Sequence, residues 1–217
     1  MFVLVSPSVT QVAAWGINSN GQLNPPPTLS TAVMLSAGWQ HVLALKRDGT
    51  VVGWGLTDYG QTTIPSGLTN VVQVVAGGRC SFALKSDGTV VGWGSQDSTA
   101  MVDVPAGLSN VVALAASDGH VLALKNDGTV VAWGSTAYGN GESNVPAGLT
   151  GVVQVSAGSH HSIALKSDGS VVAWGNIYYS PPSGLTGSTS VSAGLDHDLA
   201  LKSDGTVVTW SSGSWSV

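Results

Sequence analysis

Four histidines stand at one place in a recurring pattern: His41, His120, His161 and His197 each precede x-x-Ala-Leu-Lys, and Cys80 holds the same place in a fifth copy. Imidazole and thiolate are zinc ligands, so a ring of such positions is the first chemistry to weigh. The position opens the second strand of each repeat, which sets equivalent residues too far apart for ligand bonds of about 2 Å. The expectation is therefore a structural histidine bonded to neighbouring backbone. His160-His161 and Asp196-His197 are the two paired-donor sites for a stray divalent ion. Catalytic signatures are missing: no Gly-x-Ser-x-Gly elbow, phosphate loop or His-Glu-x-x-His occurs. Asp118 and Asp196 could pair as acid and base, but any cluster of loops brings some carboxylates together. A non-enzymatic chain is expected, with no catalytic residue, metal site or cofactor.

The elements that position these residues repeat about every 39 residues. Val-Val-x-Trp-Gly or a close relative ends at Trp15, Trp54, Trp93, Trp133, Trp174 and Trp210, at steps of 39, 39, 40, 41 and 36. Ala-Leu-Lys-x-Asp-Gly recurs with its aspartate at 48, 87, 127, 168 and 204, and Gly-Leu before a Val-rich run begins at Gly67, Gly107, Gly148 and Gly184. In the copy from Leu149 to Gly175, Val152–Ser156, Ser162–Lys166 and Val171–Trp174 read as strands A, B and C. Asp168-Gly169 supplies the positive φ angles of a tight B–C hairpin. A weaker strand D precedes the Pro-x-Gly-Leu corner, as at Asn144-Val145-Pro146, where an outer edge tolerates proline. Four short antiparallel strands per unit predict an all-β propeller of five blades in a single domain over 1–217. A β-solenoid is the rival, but its coils have shorter periods and need no hairpin in each unit. The chain opens with a C-like strand, Gln11 to Trp15, so residues 1–16 are expected to close the ring as an outer strand of the last blade; the alternative is an open arc completed by another chain.

With antiparallel strands running from axis to rim, the A–B and C–D loops share one face and the B–C and D–A turns the other. The turns barely differ between copies, whereas the A–B and C–D loops vary, as function-bearing loops on a rigid scaffold do. All four tyrosines, Tyr59, Tyr138, Tyr178 and Tyr179, fall in C–D loops, and Trp39 lies in an A–B loop. Such rings make interface hot spots and sugar platforms; each could equally cover the apolar end of its own blade. Asp58, Asp97, Asp118, Glu142 and Asp196 fall on the same face with Arg79 its only base, which would steer a basic partner there. The candidate binding set is Trp39, Tyr59, Arg79, Asp118, Tyr138, His160, Tyr178, Tyr179 and Asp196. The repeated tryptophans read as core or inter-blade packing, and the lysines from Lys46 to Lys202 as strand-end solvation.

Ala-Gly-x-x-His-x-x-Ala-Leu-Lys-x-Asp-Gly-Thr-Val-Val-x-Trp-Gly, seen from Ala37 to Gly55 and, with Ser170 in place of the Thr, from Ala157 to Gly175, together with Asn18-Ser19-Asn20-Gly21-Gln22, resembles the regulator of chromosome condensation repeat family. The resemblance is closer to its bacterial branch, which includes β-lactamase inhibitor protein II, and covers nearly the whole chain from Val12. It implies a propeller that works by binding. The best-known members carry seven blades against five units here, so their contact residues do not transfer.

Composition bounds the rest. Lys and Arg number seven against twelve acidic residues, a net charge of −5, which argues against a phosphate-binding surface and hence against nucleic acid. Cys80 is the single cysteine, so no internal disulfide forms. The N-terminus lacks the basic start of a secretory signal, and no run approaches the ~18 apolar residues of a membrane span. Charged residues are 9% of the chain and Gly reaches 29 copies, which suits an exposed, protease-resistant surface. Three functions follow as expectations: protein or receptor recognition by a spike-like protein on a virion or cell exterior, a secreted enzyme inhibitor by resemblance, and a carbohydrate-binding lectin. Guanine-nucleotide exchange fits least, because blade number differs and no basic tail is present.

Overall fold

A computed structural model describes residues 3–6, 9–27, 29, 31–94, 101–134, 140–176, 178, 180–195, 197–211 and 214–216. The chain divides into two compact units, residues 1–109 and 110–217, and each is described by itself. Among the described residues there is no α-helix.

The first unit begins with an antiparallel hairpin of β1 (Val3–Ser6) and β2 (Val9–Ala14). Two three-stranded antiparallel sheets follow: β3 (Ala32–Ala37), β4 (His41–Lys46) and β5 (Val51–Gly55), then β6 (Val71–Ala76), β7 (Cys80–Lys85) and β8 (Val90–Gly94). The second unit holds β9 (Val111–Ala116), β10 (His120–Lys125) and β11 (Val130–Gly134); β12 (Val152–Ala157), β13 (His161–Lys166) and β14 (Val171–Gly175); and β15 (Ser188–Ala193), β16 (His197–Lys202) and β17 (Val207–Ser211), joined by β18 (Ser214–Ser216). Strands A, B and C thus lie where the sequence puts them in all five repeats.

Two local features differ from expectation, the fourth strand and the B–C turn. Strand D is absent at Asn144-Val145-Pro146, where Asn144 N–H donates to Gly141 O at 2.9 Å in a turn; the turn uses up the segment before a proline with no N–H to give a ladder. Among the described residues a fourth strand occurs in the fifth repeat, where β17 takes β18 as its outer neighbour, while Val9–Ala14 pairs with β1. The B–C hairpin, finally, has a three-residue loop. Gly49 has φ +80° and Asp48 does not share it, and Gly49 N–H donates to Lys46 O at 2.9 Å. This is a type I turn closed by a left-handed glycine, the usual three-residue hairpin. The aspartate acts through its side chain instead: Asp48 Oδ1 accepts Thr50 N–H at 3.0 Å and Thr50 O–H at 2.6 Å. These bonds hold its pKa down at about 2.

Strand B is the buried heart of each sheet, and alternation splits its residues between two neighbours. In the first unit Leu43 and Leu45 of β4 pack with Val71 and Val74 of β6, Ala83 of β7 and Trp93 of β8. In the second, Leu122 and Leu124 meet Val152, Val155, Ala164 and Trp174, and Ile163 and Leu165 meet Val191, Ala200, Val208 and Trp210. Each repeat therefore has an outgoing face, made by the first, third and fifth residues of strand B and the first of strand C. Its incoming face is made by strand A, the fourth residue of strand B and the blade tryptophan. Burying one such Leu or Trp side chain contributes about 1.5–3 kcal/mol or more.

Candidate functional site

The recurring histidine fastens one repeat to the next. His41 Nε2 lies 3.0 Å from Ser81 Oγ, His120 Nε2 2.7 Å from Ser162 Oγ, and His161 Nε2 2.7 Å from Asp198 Oδ1, all with fully buried side chains. In each case the partner is the second residue of strand B in the following repeat. The serine passes the chain of bonds onward: Ser81 O–H donates to Gln61 O at 2.7 Å and Ser162 O–H to Glu142 O at 2.9 Å. The same carbonyls accept the blade indoles, Trp93 Nε1–H at 2.9 Å and Trp174 Nε1–H at 2.9 Å, as Gln22 O accepts Trp54 Nε1–H at 3.0 Å. The histidines are structural, as the sequence suggests, but their bond runs to a side chain of the next repeat rather than to nearby backbone. Burial pushes the pKa of His41 and of His120 down to about 4, with the charges of His161 and His160 adding to the effect at His120.

The histidine also explains the glycine three residues before it. A Cβ on Gly38 would lie 2.5 Å from His41 Cε1, and one on Gly158 2.6 Å from His161 Nδ1. At Gly38 and Gly158 the bare backbone leaves the ring room to lie across the A–B loop. At Ser117 the loop keeps a side chain, and its Oγ sits 3.1 Å from His120 Nδ1.

Above this layer lie the variable loops. Arg79, in the A–B loop of the second repeat, places its guanidinium carbon 4.4 Å from the ring centroid of Tyr59, in the C–D loop of the first. Those two loop types therefore meet. A guanidinium over an aromatic face gains about 0.5–1 kcal/mol at an exposed site. The Tyr59 backbone is pinned by donating N–H to Gln61 Oε1 at 3.0 Å, while its ring stays 38% exposed. Trp39 is 58% exposed. In the second unit Tyr178 is 66% exposed, with its N–H donated to Asn176 Oδ1 at 3.1 Å; Asp118 and His160 are half-buried in A–B loops, and His160 O accepts Asn176 N–H at 2.9 Å. Tyr138, Tyr179, Asp196 and Asp97 lie outside the described residues. Glu142 needs correction. It is fully buried rather than part of an acidic surface, because it occupies the place where Gln22 and Gln61 fold inward to accept loop N–H groups.

The sequence profile of the regulator of chromosome condensation (RCC1) repeat matches residues 35–61, 71–98, 111–140 and 152–177, about half of the chain. The chain belongs to the RCC1 repeat family. The His–Ser and Trp–carbonyl bonds described above thus hold RCC1 repeats together, and β15–β17 form a further repeat beyond the matched segments. No curated protein matches in sequence. Among solved structures, the chain is similar to the ectodomain of the Physcomitrella patens receptor kinase CR4, with 22% identity and a TM-score of 0.81 over 97% of this chain and 59% of that one. It is similar to the CRINKLY WD40 ectodomain of the Arabidopsis thaliana receptor kinase ACR4, with 20% identity and 0.77 over 98% and 78%. Saccharomyces cerevisiae Prp20p, characterised for binding Gsp1p and histones, gives 22% identity and 0.69 over 86% and 59%. These likenesses establish RCC1 repeats of the β-propeller class, all-β and antiparallel.

Proposed function

We propose that this chain is a non-enzymatic binding module that recognises a protein partner through its A–B and C–D loops. The observation that carries it is the contrast between the two ends of the repeats. The hairpin turns satisfy their polar groups internally with one repeated chemistry, whereas the loops present Trp39, Tyr178 and the Tyr59–Arg79 stack to solvent over a rigid, hydrogen-bonded layer. Rigid exposed aromatics and arginine are the residue types that dominate interface energies. Prp20p supports a protein partner by its binding to Gsp1p and histones, and the proposal sets that partner at a cell or virion exterior.

The test compares affinities for a purified partner, by surface plasmon resonance, between Trp39→Ala/Tyr59→Ala/Tyr178→Ala and the hairpin variant Arg47→Ala/Ser86→Ala/Asn126→Ala/Ser167→Ala. Each hot-spot aromatic costs about 2 kcal/mol when truncated, so the loop variant should lose well over tenfold in affinity and the hairpin variant little. The reverse result rejects the assignment. Binding to isolated glycans with the same loop dependence would replace the protein partner by a carbohydrate.

A further inference from the structure

The second unit buries a carboxylate that none of its lysines neutralises. Glu142 is fully buried, and neither of its carboxylate oxygens has a hydrogen-bond partner. Gln22 and Gln61, at the same place in other repeats, use the position differently: their Oε1 atoms accept N–H from Asn20 at 2.9 Å and from Tyr59 at 3.0 Å. Residues 110–217 contain no arginine, and their three lysines are engaged elsewhere, Lys125, Lys166 and Lys202 each lying 3.5 Å from the hairpin aspartates Asp127, Asp168 and Asp204. The ring nitrogens of His120 already meet Ser117 Oγ and Ser162 Oγ. A carboxylate taken out of water is stable when it is paired or when it coordinates a metal.

Gly119 leaves room beside that carboxylate. The residue before strand B is Gln40, Arg79 or His160 in other repeats, and glycine here. Gly119 has no positive φ that would call for glycine. Among the described residues beyond its chain neighbours, a Cβ there would come within 4 Å of one atom, Glu142 Oε1 at 4.0 Å. Neither strain nor crowding accounts for the glycine, whereas a group held against the carboxylate does. Asp118, half-buried and next in the chain, brings a second carboxylate to the same loop. On its other side Glu142 lies against the A–B loop of the fourth repeat, since a Cβ on Gly175 would meet both His160 O at 2.9 Å and Glu142 Cα at 3.1 Å.

We infer that Glu142 and Asp118 bind a small, oxygen-seeking divalent cation of the calcium class beside Gly119. Two carboxylates balance a divalent charge, and calcium accepts about 6–8 oxygens in a flexible shell that backbone and water oxygens complete. Zinc does not suit the place, because it favours four close nitrogen and sulfur ligands and the adjacent His120 ring is held by two serines. The ion fastens the C–D loop of the third repeat, through Glu142, to the A–B loop that carries Asp118.

Terbium occupies calcium sites and emits when a nearby indole is excited, and Trp174 Nε1–H donates to Glu142 O at 2.9 Å, so the site carries its own antenna. The full chain, stripped with EDTA and titrated with terbium chloride, should give saturable tryptophan-excited emission that calcium chloride displaces. Calcium chloride alone should raise its melting temperature. Glu142→Gln introduces the residue type of positions 22 and 61 and should fold, with the displaceable emission and the calcium-dependent rise both lost. Asp118→Asn should weaken calcium binding about tenfold, as removal of one charged ligand does, while Asp127→Asn at the hairpin should leave it unchanged. A cooperative melt without calcium confirms that each variant folds. A wild-type chain with neither displaceable emission nor a calcium-dependent rise overturns the proposal. So does calcium binding that is as tight in Glu142→Gln, or in Asp118→Asn, as in the wild type.

Discussion

Acid should unfold this protein through its buried histidines, and the structure sets the window. His41 and His120 titrate near 4 when folded and near 6.5 when unfolded, because the fully buried ring is held neutral. The folded pKa is depressed, so the stability these residues contribute is complete above about 6.5 and is lost as pH falls toward about 4, where the unfolded chain takes up protons that the folded chain refuses. At 1.36 kcal/mol per pKa unit, a depression of about 2.5 units is worth about 3 kcal/mol for each histidine. A loss of about 6 kcal/mol for the pair is comparable with the whole stability of an ordinary domain, about 5–15 kcal/mol. Urea unfolding followed by tryptophan fluorescence from pH 8 to pH 4 reads it directly. The midpoint should hold steady above pH 7 and fall steeply below 6.5. In His41→Gln/His120→Gln the midpoint should start lower and flatten across that window. A slope in the double variant equal to that of the wild type would refute the reasoning. The hairpin aspartates Asp48, Asp87 and Asp204, held at about 2 mainly by their threonine bonds, act only below about pH 4 and do not confuse it.

Three further outcomes follow from the same geometry. Ser162→Ala strands His120 Nε2 and removes a donor from Glu142 O, and Asp198→Ala leaves His161 Nε2 without its buried partner; each should cost about 1–3 kcal/mol by denaturant titration. Gly158→Ala forces a Cβ into the His161 ring and should destabilise by about 1–3 kcal/mol or more, with much of the loss relieved in Gly158→Ala/His161→Ala if the ring is the obstacle. Thr31 has φ +64° where the later repeats place Asn70, Asn110, Gly151 and Gly187, so Thr31→Gly should raise stability by about 1 kcal/mol, seen as a higher melting temperature.

Much of this was legible in the residues alone, for definite reasons. Ala-Leu-Lys-x-Asp-Gly followed by Val-Val-x-Trp-Gly names two strands and the hairpin between them, so strands A, B and C could be placed within a residue or so. The pairing of His120 with Ser162 could not, because alternation says that a side chain points inward without saying which repeat it meets. One signal was available: His41, His120 and His161 are each followed, one repeat later, by Ser81, Ser162 and Asp198 at the second position of strand B. Glu142 was misplaced because loop carboxylates are usually solvated; its alignment with Gln22 and Gln61, which turn inward, was the sign of burial. Strand D was expected from propeller regularity, and a turn at Gly141–Asn144 replaced it.

The most direct test of the loop face is hydroxyl-radical footprinting of the protein with and without its bound partner. Trp39, Tyr59 and Tyr178 are reactive, exposed reporters on the loop side, and Val33, Val72 and Val153 are exposed reporters at the strand A bulges beside the hairpin turns. Protection of the three aromatic residues with the valines unchanged is the predicted result. Protection confined to the valines, with Trp39, Tyr59 and Tyr178 as reactive as in the free protein, would contradict it.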